Sequence, residues 1–175
     1  MKRRVFLQNG LIVVAGAALT RLPLHGQEGA GTDWLVTPYT GVGPVKFGMK
    51  RRKARRVVPG KPDKRDEYDT ETDDVWSELG VKLMYMPPKD NCQAILFTGA
   101  KVQPLYQNHK IMTMPARDVF DMMQAADPDL SVNGRGWTCM RQGITVTAPE
   151  WQTAPKKPAS AILFFAEDFY TSFFD

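Results

Sequence analysis

Two histidines, two cysteines and 19 Asp+Glu are the groups in this 175-residue chain with most capacity for chemistry. His109 has no Cys or acidic neighbour at the spacing of a metal-ligand set, and it reads as a surface histidine. His25 lies in the N-terminal segment discussed below. No G-x-S-x-G, H-E-x-x-H or C-x-x-C occurs. A Cys–His nucleophile would need Cys92 or Cys139 to meet His109 through the fold, and nothing local supports it. Gly41-Val42-Gly43-Pro44 begins like a phosphate loop, but the third glycine is misplaced and Pro44 removes a backbone donor, so a turn is expected. The acidic run Asp69-Thr70-Glu71-Thr72-Asp73-Asp74 lacks the glycine and the bidentate Glu of a calcium loop and reads as a solvated acidic loop. No catalytic residue, metal ligand or cofactor is therefore assigned. Cys92 and Cys139 are either one disulfide, as an oxidising compartment would allow, or two buried thiols.

The sharpest local anomaly is basic. Lys50, Arg51, Arg52, Lys53, Arg55 and Arg56 crowd the start of an expected helix, where cations oppose the macrodipole. Arg51–Arg55 and Arg52–Arg56 are also like-charge pairs at i, i+4. Either the cluster faces the acidic run Asp66 to Asp74 as an internal neutralising pair, or it meets an anionic partner such as a polyanion or lipid headgroups. Net charge does not favour the second. Lys2, Arg3, Arg4 and Arg21 account for the whole surplus of +4, and beyond residue 26 the chain balances 19 basic against 19 acidic residues.

The elements that must position these groups show internal similarity, a signal to be sought first. Residues 47–63 can be laid on 112–129, pairing Met49 with Met114 and Val57 with Met122. Trp76, Gly80 and Val81 pair with Trp137, Gly143 and Ile144, and Ala94-Ile95-Leu96-Phe97 returns as Ala161-Ile162-Leu163-Phe164. Within each half the apolar spacing predicts a helix, ended by Pro59-Gly60 or by Pro128. An alternating strand (Val81, Leu83, Tyr85; Ile144, Val146, Ala148) and a short apolar strand follow. The expected class is α+β: two tandem helix-plus-antiparallel-strand repeats, residues 28–103 and 104–175, with helices on one face of a shared antiparallel sheet in one body. A composition of 43% hydrophobic and 24% charged residues suits such a body and excludes collagen-like, low-complexity and multi-span membrane chains.

Residues 1–27 follow the charged, apolar, polar order of an export signal, and the nine-residue stretch Leu11–Leu19 is too short to span a bilayer. Arg3-Arg4-Val5-Phe6-Leu7 resembles the twin-arginine signal pattern. An exported, periplasmic or otherwise extracytoplasmic protein is the expectation.

Gly43-Pro44-Val45-Lys46-Phe47-Gly48-Met49, followed by a helix bearing Val57, resembles the helix-entry signature of tandem-repeat β-lactamase inhibitory proteins. It is also similar to the related small lipoprotein of the outer-membrane barrel-assembly machinery. The resemblance implies helical segments packed on an antiparallel sheet, used to bind another protein. The within-repeat disulfides of the inhibitors have no counterpart, because each half holds a single Cys.

These readings converge on an exported, non-enzymatic protein-interaction module of the cell envelope, inhibitor- or assembly-factor-like. Its partner is expected on the solvent face of the sheet, at Trp76, Lys82, Met84, Trp137 and Arg141, with repeat-core packing as the other reading of the two tryptophans. The alternative is a polyanion or anionic-membrane binder using Arg51, Arg52, Arg55 and Arg56. Nucleic acid fits poorly with export and a balanced mature charge, and membrane contact is expected only through the signal or the basic helix. The C-terminal Phe165, Phe169 and Phe173 share a helical spacing, and either cover a core edge or dock on a partner.

Overall fold

The structure, a computed structural model, describes residues 32–63, 73–86, 90–99 and 101–170. Residues 1–27, expected to be an export signal, the acidic residues 66–72, and Phe173 lie outside the described residues.

A first strand, β1 (Thr32–Thr37), turns into the short hairpin β2 (Gly41–Val42) and β3 (Val45–Lys46), and then enters helix α1 (Arg51–Val57). Strands β4 (Asp73–Trp76), β5 (Val81–Met86) and β6 (Asn91–Phe97) form an antiparallel meander. Next come the hairpin β7 (Val102–Tyr106) and β8 (His109–Lys110), then helix α2 (Ala116–Ala126). A second meander follows: β9 (Ser131–Asn133), β10 (Gly136–Cys139), β11 (Ile144–Thr147) and β12 (Ala161–Phe165). The strands form a seven-stranded antiparallel sheet, β4-β5-β6-β12-β11-β10-β9, and a five-stranded sheet, β3-β2-β1-β7-β8, in which β1 and β7 run parallel.

This corrects the expected class. The chain is β-rich and built on two sheets, with two helices of only 7 and 11 residues among the described residues; it is not a pair of helix-plus-strand repeats on one sheet. The second sheet comes from segments to which the sequence reading gives no strand, with Gly41-Val42-Gly43-Pro44 among them read as a turn. The two-residue strands β2, β3 and β8 are too short to show a period, and Gly43-Pro44 and Gln107-Asn108 look like loop because they are hairpin turns. β1 does alternate: Trp34 and Val36 point inward while Asp33, Leu35 and Thr37 point out.

Both sheets contribute to one core. Trp34 of β1 meets Phe97 of β6 edge-on at 5.9 Å, and Phe97 meets Phe164 of β12 at 5.6 Å. Across the large sheet the core row runs Trp76, Val81, Phe97, Ile162, Val146, Trp137. Helix α1 lies against β3 and β6 and buries Ala54; α2 lies against β10 and buries Val119, Phe120 and Met123.

The paired segments of the sequence fall at matching registers in part. Val81 faces Phe97 as Ile144 faces Phe164, and Leu83 faces Ile95 as Val146 faces Ile162. Gly80 and Gly143 close four-residue turns at the same φ of 66°. The tryptophans do not correspond: Trp76 faces Val81, whereas the place facing Ile144 belongs to Cys139, and Trp137 faces Val146.

Candidate interaction site

A seven-stranded sheet has two faces, and alternation sends each strand's side chains to both. The face turned away from the core carries the row Val75, Lys82, Leu96, Leu163, Thr145, Thr138. All six are half-buried. The row is graded. At the β4 edge, Lys82 Nζ bonds Asp73 at 2.6 Å. In the middle, Leu96 and Leu163 sit directly opposite each other. Toward the far side, the hydroxyls of Thr138 and Thr145 meet at 3.1 Å. Beside this row, Met84, Ala94 and Phe165 form a small apolar cluster with Phe169 and Tyr39. The chain after β12 folds back over it: Tyr170 stacks edge-on against Phe165 at 4.9 Å, and its hydroxyl lies 3.3 Å from Thr145 Oγ1. The C-terminal aromatics Phe165 and Phe169 thus cover one part of the outer face and leave the Leu96–Leu163 strip beside it half-buried.

At the end of this face lies a groove of about 670 Å³ between the β3–α1 turn, the start of β6 and the segment after β12. Its walls are Tyr39, Phe47, Asn91, Gln93, Glu167 and Asp168. Backbone bonds tie the walls together: Gly48 N–H donates to Cys92 O at 2.8 Å, and Ala166 N–H to Gln93 O at 2.8 Å. Burial, with help from the Glu167 charge, raises the Tyr39 phenol above its ordinary value.

The residues singled out in the sequence divide. Trp76 and Trp137 are 2% and 0% exposed, in the core row, and are unavailable to a partner; this corrects their assignment as partner anchors and agrees with their reading as core packing. The helix–sheet core needed the large rings there: Trp137 packs edge-on against Phe120 of α2 at 5.3 Å, and its Nε1 donates to Met123 Sδ at 3.3 Å. Lys82 and Met84 stand on the outer face. Arg141 sits in the β10–β11 turn, exposed, with Asp127 at 3.3 Å and Asp129 at 3.0 Å.

The basic helix also divides. Arg51 and Arg55 both grip the buried Asp74: Arg51 Nη2 at 2.7 Å and Arg55 Nη2 at 2.6 Å from Oδ1. Arg51 also reaches Asp73 O at 2.6 Å and lies over the Tyr85 ring at 4.9 Å. Burial alone would raise the Asp74 carboxyl, but the hydrogen bonds from Arg55 and Arg51 outweigh it and hold the group below the ordinary carboxylate range. Arg52, Lys53 and Arg56 point outward and are exposed.

Cys92 and Cys139 are free, buried thiols, which closes the disulfide alternative. They stand on β6 and β10, with β12 and β11 between them. Three inter-strand spacings are roughly 14 Å, far beyond disulfide reach. Burial pushes both thiols up to about 12, aided at Cys139 by Asp127, so neither is a nucleophile at neutral pH. His109 is exposed in β8, and no group of three or more metal-ligating side chains gathers among the described residues.

Leu96, Leu163 and the groove residues escaped the sequence reading. Ala94-Ile95-Leu96-Phe97 and Ala161-Ile162-Leu163-Phe164 look like wholly buried runs, and their alternation shows only once both faces carry apolar side chains. Comparison with family models, curated proteins and solved structures returns no match.

Proposed function

We propose that this chain is an exported protein-interaction module of the cell envelope, inhibitor- or assembly-factor-like and without catalytic activity, that binds another protein through the outer face of its seven-stranded sheet. The observation that carries the reading is the graded row on that face. A half-buried apolar strip, Leu96–Leu163, is flanked by the Lys82–Asp73 ion pair and by paired threonines. An apolar centre with a polar rim is the anatomy of a protein interface. The conspicuous charged groups of the described chain serve the fold: Asp74 holds Arg51 and Arg55, and Asp127 accepts from the Arg141 backbone N–H. The twin-arginine-like segment and the resemblance of residues 43–49 to tandem-repeat inhibitory proteins support the same reading. The matched registers about the β6–β12 pair support an internal repeat confined to the two meanders.

Leu96→Glu and Leu163→Glu should each lose the protein that the unaltered chain captures from envelope extract, with an unchanged melting temperature. Capture unaffected by both changes would reject the outer face.

A second reading has one observation in its favour. Arg52, Lys53 and Arg56 of α1 are exposed beside Lys50, a basic patch that could meet an anionic surface. Of the four arginines first expected it keeps Arg52 and Arg56, because Arg51 and Arg55 are engaged with Asp74. Reversal of Arg52 and Arg56 to Glu should abolish salt-sensitive sedimentation with phosphatidylglycerol vesicles if this reading holds, and leave protein capture intact if the first does.

A further inference from the structure

We propose that Asn133-Gly134, at the turn between β9 and β10, is a site of spontaneous covalent modification, where the Asn133 amide is lost as ammonia and part of the chain is rerouted as isoaspartate. The inference is independent of what the protein binds.

Asn133 ends β9 and pairs with Gly136 across the two-residue turn Gly134-Arg135. Residues 131–135 are all exposed, so water reaches the site and ammonia can leave it. The Arg135 backbone N–H donates to Asn133 Oδ1 at 2.8 Å. A side chain bonded to the amide two residues on is folded back over the peptide bond between them. That fold brings Asn133 Cγ beside Gly134 N, and the donated hydrogen bond draws electrons from the Cγ carbonyl. The attacking nitrogen is unshielded, because Gly134 has no side chain and a Cβ built there would meet nothing within 4 Å. Glycine also gives the backbone the freedom to bring the two atoms into line. The other described asparagines lack this combination. Asn91 is half-buried in β6 and precedes the buried Cys92, and the exposed Asn108 precedes His109, whose side chain crowds the nitrogen. Asn9-Gly10 lies outside the described residues.

The chemistry needs only water. Gly134 N gives up its proton to solvent base and attacks Asn133 Cγ, forming an N–Cγ bond. The Cγ–Nδ2 bond breaks, and Nδ2 takes a proton and leaves as ammonia. The product is a five-membered succinimide. Water then opens one of its two carbonyls. Attack at Cγ breaks the new bond and leaves an ordinary aspartyl residue. Attack at the backbone carbonyl carbon breaks the original peptide bond, so the main chain runs through Cβ and Cγ as isoaspartate. Either way one amide and one water become one carboxylate and one ammonia, and the site gains a negative charge. The isoaspartyl form also adds a carbon to the main chain at the mouth of the turn. A two-residue hairpin has no slack to absorb it. β9 is three residues long and lies at the sheet edge, so the strain loosens β9 from β10 rather than reaching the interior.

The test is incubation of the folded full chain at pH 8 and at pH 5, beside a synthetic peptide of residues 130–137 that carries the same sequence without the fold. Peptide mass spectrometry locates the exchange of NH for O, and isoaspartyl methyltransferase with labelled S-adenosylmethionine counts the isoaspartate. Conversion at Asn133 is expected while the chain stays folded, faster at pH 8 than at pH 5, with Asn91 and Asn108 unaltered over the same period. Gly134→Val shields the nitrogen, and Gly134 has negative φ and open space, so the variant should keep its melting temperature and lose the conversion. Asn133→Gln should lose it as well. In the isoaspartyl fraction the amides of 131–133 should exchange hydrogen faster than in the unmodified chain, with those of β11 and β12 unchanged. Asn133 left intact in the folded chain after the peptide has converted overturns the proposal, as does conversion undiminished by Gly134→Val.

Discussion

Asp74 is the residue on which the basic helix depends. Its side chain is 2% exposed and holds two arginines, so removing it deprives Arg51, itself largely buried, of its closest carboxylate and leaves Asp90 at 3.8 Å. Breaking such a pair from one side costs about 3 kcal/mol or more. Asp74→Ala should therefore lower the stability measured by urea unfolding by roughly that amount. The pH dependence follows from the depressed carboxyl. A group whose folded value lies below its unfolded value of about 3.9 stabilises fully above that pH, and the contribution disappears as pH falls through the folded value. Unfolding titrations should show this acid-side loss, and Asp74→Asn should lack that component while being less stable at pH 7. The thiols give a second check at this scale. With both pushed up to about 12 and buried, Ellman's reagent should find no reactive thiol in the native chain at pH 8 and two after denaturation. Two thiols reacting in the native state would mean that β6 and β10 are not packed as described.

At the level of elements, the turns that close the two meanders are the sensitive points. Gly143 has φ 66°, and a Cβ there would stand 2.7 Å from Phe165 O and 2.9 Å from the Tyr39 ring. Gly143→Ala should cost roughly 2 kcal/mol from left-handed backbone strain and crowding, read as a lowered melting temperature. The longer elements were legible from pattern alone. α2 has apolar residues at helical spacing and Pro128 beyond its end, and β5 and β11 alternate cleanly. The five-stranded sheet was not legible. Its outer strands are two residues long, and the parallel β1–β7 pairing joins segments about 70 positions apart in register, such as Thr32 with Val102, which no local period can announce. The two readings of the tryptophans have a related cause. A large amphipathic ring is equally good as an interface anchor and as a core filler, and only the position of α2 decides that Trp137 is the second.

For the whole molecule, two sheets share one core, and the large sheet keeps an outer face that the described residues cover only in part, with Phe169 and Tyr170. Leu35, 57% exposed on β1, belongs to the other sheet and marks a surface with no proposed role. That contrast allows the central claim to be tested directly. A photo-crosslinking amino acid placed at position 163, at position 35 or at position 52 samples the outer face, the opposite layer and the basic helix in turn. Irradiation of cells producing each variant, followed by denaturing gels and mass spectrometry, reads which surface touches another protein. The account predicts one discrete protein adduct from position 163 and none from positions 35 and 52. Adducts from position 35 or 52 with none from 163 would contradict it.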